Sequence, residues 1–237
     1  CIRDRLYMYC KVRTRAVFAA VVLIGYSLLM YLVVAPDAPD GTDPLSVAGN
    51  IAGWVDRQWL PGTFVYESFD PEGLLSTLPA IVSALFGMFT GEFLLRKRSS
   101  LSGKRIALCM ALAAVAITVI GIIWNCWIPI NKKLWSSSFT CVVTGYSLGL
   151  FALFYYLIDV RGWKRWTFFF RVIGLNSITI YLAQRIVGFG GIANFFFGGA
   201  ASHCPEAIAR VISNAGYVAI CWLFLYFLYR KSTFLKV

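Results

Sequence analysis

The sequence predicts an all-α fold: a polytopic membrane helix bundle of six transmembrane helices with both ends cytoplasmic. Three observations predict it. The 237-residue chain is 59% hydrophobic and only 14% charged, whereas a soluble domain carries about 45–50% apolar and about 25% charged residues. Six apolar stretches reach the roughly 17–25 residues that cross a hydrocarbon core about 30 Å thick. The charges between those stretches alternate in number from one side to the other. Together these exclude an ordinary soluble globule, disorder, collagen and coiled coil. A transmembrane β-barrel is excluded too, because no ten-residue alternation of apolar and polar residues recurs.

The stretches are Val17–Val34, Leu78–Leu95, Ile106–Trp124, Phe139–Ile158, Phe168–Val187 and Val211–Tyr229. The third and fourth hold no charge before their ends. The second carries Glu92 near one end, and the fifth carries Arg171 near its start and Arg185 near its finish, at depths from which charges snorkel to the interface. The segments Cys1–Ala16, Arg96–Arg105, Asp159–Arg171 and Arg230–Val237 hold 17 of the 22 basic residues, and eight of the 11 acids lie on the opposite side. By the positive-inside rule the basic side is cytoplasmic. The net charge of +11 is therefore a signal of topology rather than a nucleic-acid footprint. The seven cysteines are scattered without a C-x-x-C pair, so neither a zinc site nor a disulfide framework is expected.

One transmembrane domain, 1–237, is expected, with an outer loop 35–77. That loop opens on the turn-forming run Pro36–Pro44 and continues with Trp54, Trp59, Phe64 and Tyr66 among charges, which suits a small packed cap at the headgroup level. A second outer segment, Gly188–Arg210, is rich in Gly and Phe; it reads equally as a re-entrant or interfacial segment and as a flexible loop. The first residue is Cys rather than Met, and no signal peptide precedes the first apolar stretch. The sequence thus reads as a piece of a longer protein.

Three polar clusters exceed what a membrane span needs. In Phe69-Asp-Pro-Glu-Gly73, Asp70 and Glu72 precede the second span, either as a cap on its helix or as carboxylates that orient an amine or an imidazole. In Ile128-Pro-Ile-Asn-Lys-Lys-Leu-Trp-Ser-Ser-Ser138, Lys132 and Lys133 run against the positive-inside trend; with Trp135 they form either an interfacial anchor or a site. In Gly174-Leu-Asn-Ser-Ile-Thr-Ile-Tyr181, the polar Asn176, Ser177 and Thr179 sit inside the fifth span and require partners in the bundle. Gly87-x-x-x-Gly91 and Gly145-x-x-x-Gly149 match the small-residue helix-packing pattern. The lone histidine, His203, reads as a solvated loop residue.

At these clusters the chain resembles the transmembrane acetyltransferase family of heparan-α-glucosaminide N-acetyltransferase and its bacterial relatives. The matching stretches run in order: Phe69 to Ile81, Ile128 to Ser138, Leu157-Ile-Asp-Val-Arg-Gly-Trp163, Gly174 to Tyr181, and the closing Leu228-Tyr-Arg-Lys-Ser-Thr-Phe-Leu-Lys-Val237. The resemblance implies the C-terminal half of a roughly eleven-helix fold. It implies an enzyme that takes acetyl groups from cytosolic acetyl-CoA and passes them to an amino sugar or other glycan acceptor on the periplasmic or lumenal side. It places the family's catalytic histidine upstream of this chain, so that the fragment alone is expected to be inactive. Gln184-Arg185 stands where lysosomal members tend to have His-Glu, and the short outer loop looks more like a member from a bacterial inner membrane. Under this resemblance Asn131, Ser136, Ser138 and Asn176 are candidate oxyanion donors or sugar contacts, with Trp135 and Ser177 beside them. Asp70 and Glu72 position the amine or the imidazole, and Lys132 pairs with those carboxylates or with an anionic ligand. The expected partners are the lipid bilayer, acetyl-CoA and the acceptor, with a homodimer left open and neither a metal nor nucleic acid. A secondary transporter and a non-catalytic membrane partner of a glycan-processing system are the competing readings.

Overall fold

A computed structural model describes residues 9–61 and 70–234; Phe64, Tyr66 and Phe69, together with the last three residues, lie outside the described part. Nine α-helices account for most of it: α1 Val12–Leu32, α2 Ile51–Trp59, α3 Thr77–Lys97, α4 Gly103–Trp124, α5 Ser137–Tyr155, α6 Thr167–Leu175, α7 Ser177–Ile186, α8 Phe189–Ser202 and α9 Glu206–Arg230. A π-helical turn, Tyr156–Val160, extends α5. The only β pairing among the described residues is an isolated antiparallel bridge between Val34 and Asn50. Helices α1, α3, α4, α9 and α5 with its extension are long and apolar enough to cross a membrane, and the bent pair α7 and α8 makes a sixth candidate. The fold is a polytopic membrane helix bundle.

The chain divides into two compact units, 1–162 and 163–237. In the first, the polarity of each helix is partitioned as a bilayer requires. Helix α1 exposes Val17, Val21, Ile24 and Leu28 along one face and buries Ala19, Leu23, Tyr26, Ser27 and Met30 on the other. Apolar side chains outward and hydroxyls inward is the pattern of a lipid-facing helix. Lipid is as apolar as leucine, so close packing and hydrogen bonds, rather than the hydrophobic effect, hold such helices together.

Both contributions are visible. Helices α4 and α5 approach so closely that a Cβ on Gly145 would fall 2.2 Å from the Thr118 hydroxyl oxygen, and one on Gly121 would fall 2.7 Å from a Val142 methyl. The Ser137 hydroxyl donates to the Leu23 carbonyl across α5 and α1 at 2.7 Å. Toward the start of α1, Arg15 is 3% exposed and pairs with Glu92 of α3 at 2.6 Å, its guanidinium also lying over the Phe89 ring. The Glu92 charge is thus met inside the unit by a partner on another helix.

Residues 35–61 pack over the end of α1, and the rest of the expected cap, 62–69, lies outside the described residues. The Ala35 N–H donates to the Gly49 carbonyl, and the Asn50 side chain caps α2 by accepting from the Gly53 N–H at 2.6 Å. Its amide group donates back to the Val47 and Ser46 carbonyls. Arg57 of α2 forks onto the Asp37 carboxylate at 2.7–3.0 Å, tying the turn-rich opening of the loop to the helix. Tyr26, Met30, Ile51, Ala52 and Leu134 share one apolar cluster beneath it.

The expected fifth span, Phe168–Val187, is corrected by the structure. It is two helices, α6 and α7, separated at Asn176, whose backbone (φ −129°, ψ 30°) leaves the helical region. Gly174 and Asn176 are poor helix formers, and Thr179 donates its hydroxyl to the Asn176 side-chain oxygen rather than leaving the turn to regular helix bonding alone. A second interruption at Val187 and Gly188 turns the chain by 81° into α8, so the Gly- and Phe-rich segment is a helix rather than a flexible loop. Within the second unit α8 packs on α9, where a Cβ on Gly216 would fall 2.5 Å from the Phe197 ring. Helix α6 meets the far end of α9 through Phe169 stacked on Trp222 and a hydrogen bond from the Trp222 indole to the Phe169 carbonyl.

Candidate functional site at the capped end of the first unit

The Asp70-Pro71-Glu72-Gly73 segment is wound around a carboxylate that the sequence reading did not single out. Asp56 of α2 is 1% exposed and accepts the Leu74 N–H at 2.9 Å and the backbone N–H of Asp70. A Cβ on Gly73 would lie 2.0 Å from one Asp56 oxygen, so only glycine lets the chain pass this close. Burial pushes the Asp56 carboxyl above its ordinary range; the two backbone N–H groups pull it back, Asp70 adds repulsion and Arg57 relieves some of it. Asp56 falls on the same helical face as Ile51 and Ala52, which is the sequence signal that could have marked it.

Asp70 therefore shapes a turn and does not cap α3. Its carboxylate accepts the Glu72 N–H at 2.9 Å, its carbonyl accepts from Gly73, and α3 starts later, at Thr77. Glu72 is exposed.

The second motif forms a tightly bonded loop between α4 and α5. The Ser136 hydroxyl donates to the Pro129 carbonyl at 2.9 Å and accepts the N–H groups of Asn131 and Phe139, capping α5. Ser138 donates to the same carbonyl at 3.1 Å. Both serines are buried, so their hydroxyls hold the loop. Asn131 is half-buried and accepts the Lys133 N–H with its side chain, while Lys132 and Lys133 are exposed. Trp135 adopts φ +49°, a left-handed conformation costly for a bulky residue. Its ring meets Phe139 edge-on, and its buried indole N–H has no hydrogen-bond partner among the described residues.

The loop is tied to α1 by Tyr26, whose hydroxyl donates to the Leu134 carbonyl at 2.6 Å. Beside that bond lies a cavity of about 30 Å³ lined by Tyr26, Ser27, Met30, Leu45, Asn131 and Ser136, among others. The structure thus brings Asn131 and Ser136 onto one hollow with three residues of α1, of which sequence reasoning missed the polar pair Tyr26 and Ser27, and Asp70 and Glu72 do not line it. The signal for the missed pair was the polar Tyr26-Ser27 step inside an otherwise apolar span.

Asn176 and Ser177 belong to the second unit. Asn176 is 1% exposed, its amide nitrogen has no partner among the described residues, and Ser177 is exposed. His203 closes α8 with its Nδ1 2.7 Å from the Gly199 carbonyl, which fixes the proton on that nitrogen.

No family model matches the chain. It is 28% identical over 211 residues to heparan-alpha-glucosaminide N-acetyltransferase of Mus musculus, covering 80% of this chain and 30% of that protein. The same figures hold for heparan-alpha-glucosaminide N-acetyltransferase of Homo sapiens. The chain therefore spans about 30% of the length of these relatives. The likeness supports a distant member of the heparan-alpha-glucosaminide N-acetyltransferase family.

Proposed function

We propose that this chain is part of a membrane acetyltransferase that moves an acetyl group from acetyl-CoA on the cytoplasmic side to the amine of an amino sugar or related glycan acceptor on the opposite side. The observation that carries this reading is the 28% identity over 80% of the chain to the two N-acetyltransferases. The polar loop around Asn131 and the buried hydroxyls beneath it supply a reason for the likeness in physical terms.

In the reaction the amine lone pair attacks the thioester carbonyl carbon, the C–S bond breaks, and the sulfur leaves as thiolate. The ammonium proton passes to a base and from there to the thiolate. Donors held in place where the carbonyl oxygen gains charge stabilise that transition state. Asn131 at the cavity edge is the candidate for such donation in the first unit; Asn176, whose amide nitrogen has no partner among the described residues, is a separate candidate in the second. Ser136 and Ser138 fix the loop that carries Asn131. Asp70 and Glu72 form an acidic approach to the acceptor amine, and Lys132 is an exposed cation for an anionic substrate group. His203 is not assigned the base role, because the resemblance places the family's catalytic histidine upstream of this chain.

Acetyl-CoA carries several phosphate charges and does not enter hydrocarbon, so in this reading its nucleotide remains at the basic, cytoplasmic end while the acetyl group is delivered across the bundle. The test is transfer of radiolabelled acetyl from acetyl-CoA to a glucosamine-terminated acceptor by the complete purified protein. Labelling that depends on acetyl-CoA is expected, and no labelling of any amine overturns the reading. The helix break at Asn176 favours transport as a second reading, since transporters bind substrates at interrupted spans. Amino-sugar uptake into proteoliposomes without acetylation is its distinguishing result.

A further inference from the structure

Ser27 and Thr140 are buried hydroxyls of this unit that find no hydrogen-bond partner among the described residues, and of the two it is Ser27 that lines the hollow beside Asn131. A serine inside a helix ordinarily donates back to the carbonyl four residues earlier, which for Ser27 is that of Leu23. That carbonyl already accepts the Ser137 hydroxyl arriving from α5 at 2.7 Å. The Ser27 hydroxyl is left without a hydrogen-bond partner among the described residues, although the residue is only 6% exposed, and it lines the cavity of about 30 Å³ beside Asn131. An unpaired buried hydroxyl is destabilising, so this one marks a place where a hydrogen-bond acceptor is missing.

The shape and polarity of the hollow narrow down that acceptor. Met30 and Leu45 give it an apolar wall, while Ser27 and Asn131 give it polar groups. About 10–15 Å³ of such space holds one water-sized group, so the hollow fits roughly two to three heavy atoms. An acetyl group has three: a methyl for the apolar wall, and a carbonyl whose oxygen accepts from Ser27.

We propose that this cavity seats the acetyl group in transit, with Ser27 donating to its carbonyl oxygen and Met30 and Leu45 limiting acyl length. The proposal rests on the acetyltransferase reading above and adds the residues that select the acyl donor.

The experiment compares acetyl-CoA and propionyl-CoA as donors for the complete protein and its Ser27→Ala and Leu45→Ala variants. Ser27→Ala is expected to lower kcat/KM for acetyl-CoA about tenfold, the loss of one hydrogen bond to a reacting group, with the thermal unfolding midpoint retained. Leu45→Ala, at a half-buried position and with its unfolding midpoint measured alongside, is expected to raise the propionyl-to-acetyl ratio of kcat/KM at least tenfold. An acetyl-CoA kcat/KM within twofold of the parent in Ser27→Ala, or an unchanged ratio in Leu45→Ala, overturns the proposal, as does a cavity that merely holds water, which leaves the ratio unmoved. If the unaltered protein transfers no acyl group, the acetyltransferase reading itself fails and the proposal falls with it.

Discussion

The two ends of α1 bury polar groups in opposite ways. At one end Arg15 meets Glu92 on a neighbouring helix and Phe89 below it, so charge answers charge. At the other, Tyr26 is spent on the Leu134 carbonyl while the hydroxyl of Ser27, one residue later, has no hydrogen-bond partner among the described residues. A buried charge that meets its counter-charge builds the bundle. A buried polar group that is left unanswered costs stability without structural return, which is how a site differs from a scaffold.

Removing the answered charge has the largest expected effect. Glu92→Ala leaves the Arg15 guanidinium buried without its carboxylate and should cost about 3–5 kcal/mol, read as a lowered unfolding midpoint in detergent; a loss under 1 kcal/mol would place that end of α1 in contact with water. Next comes Gly73→Ala, where the added methyl collides with the Asp56 carboxylate and should cost about 1–3 kcal/mol, with the cap residues losing protection from hydrogen exchange first. Ser137→Ala should cost about 1 kcal/mol by deleting the bond to Leu23. It also frees the Leu23 carbonyl for Ser27, so the double variant with Ser27→Ala should depart from additivity in a double-mutant cycle.

The smallest effect is a pH dependence. Asp56 titrates above its ordinary value of 3.8 in the folded chain, so the folded state holds that proton more tightly than the unfolded one. Its contribution to stability is fully present below the unfolded value and is lost as pH rises through the folded one. Acidification from neutral toward that ordinary value should therefore raise the unfolding midpoint of the parent relative to Asp56→Asn. A difference between the two that is flat with pH would remove Asp56 from the account.

The spans were legible because a run of about 20 apolar residues has few other uses, and the cap because Pro, Asp and Gly concentrate in Pro36–Pro44. Hydropathy failed at Asn176, where the apolar run continues through a backbone break that depends on dihedral angles. It failed again for Asp70, whose neighbours suggested a helix start while its partner, Asp56, lay 14 positions away in the chain. Of the two small-residue patterns, Gly145 is pressed against α4, whereas a Cβ on Gly87 or Gly91 would meet nothing within 4 Å; identical spacing could not tell them apart. For Ser27 the polar Tyr26-Ser27 step marked the position but not its role. Its hydroxyl is made available by Ser137, a residue on another helix, and no local pattern records that.

Asp56 has one more effect, on the chain that follows it. By gripping the backbone at Asp70 and Leu74 it joins the two ends of the stretch between α2 and α3, so the separation of those ends is set by the grip and not by the residues between them. For a flexible loop whose ends are held together, added length costs only a slowly growing entropy.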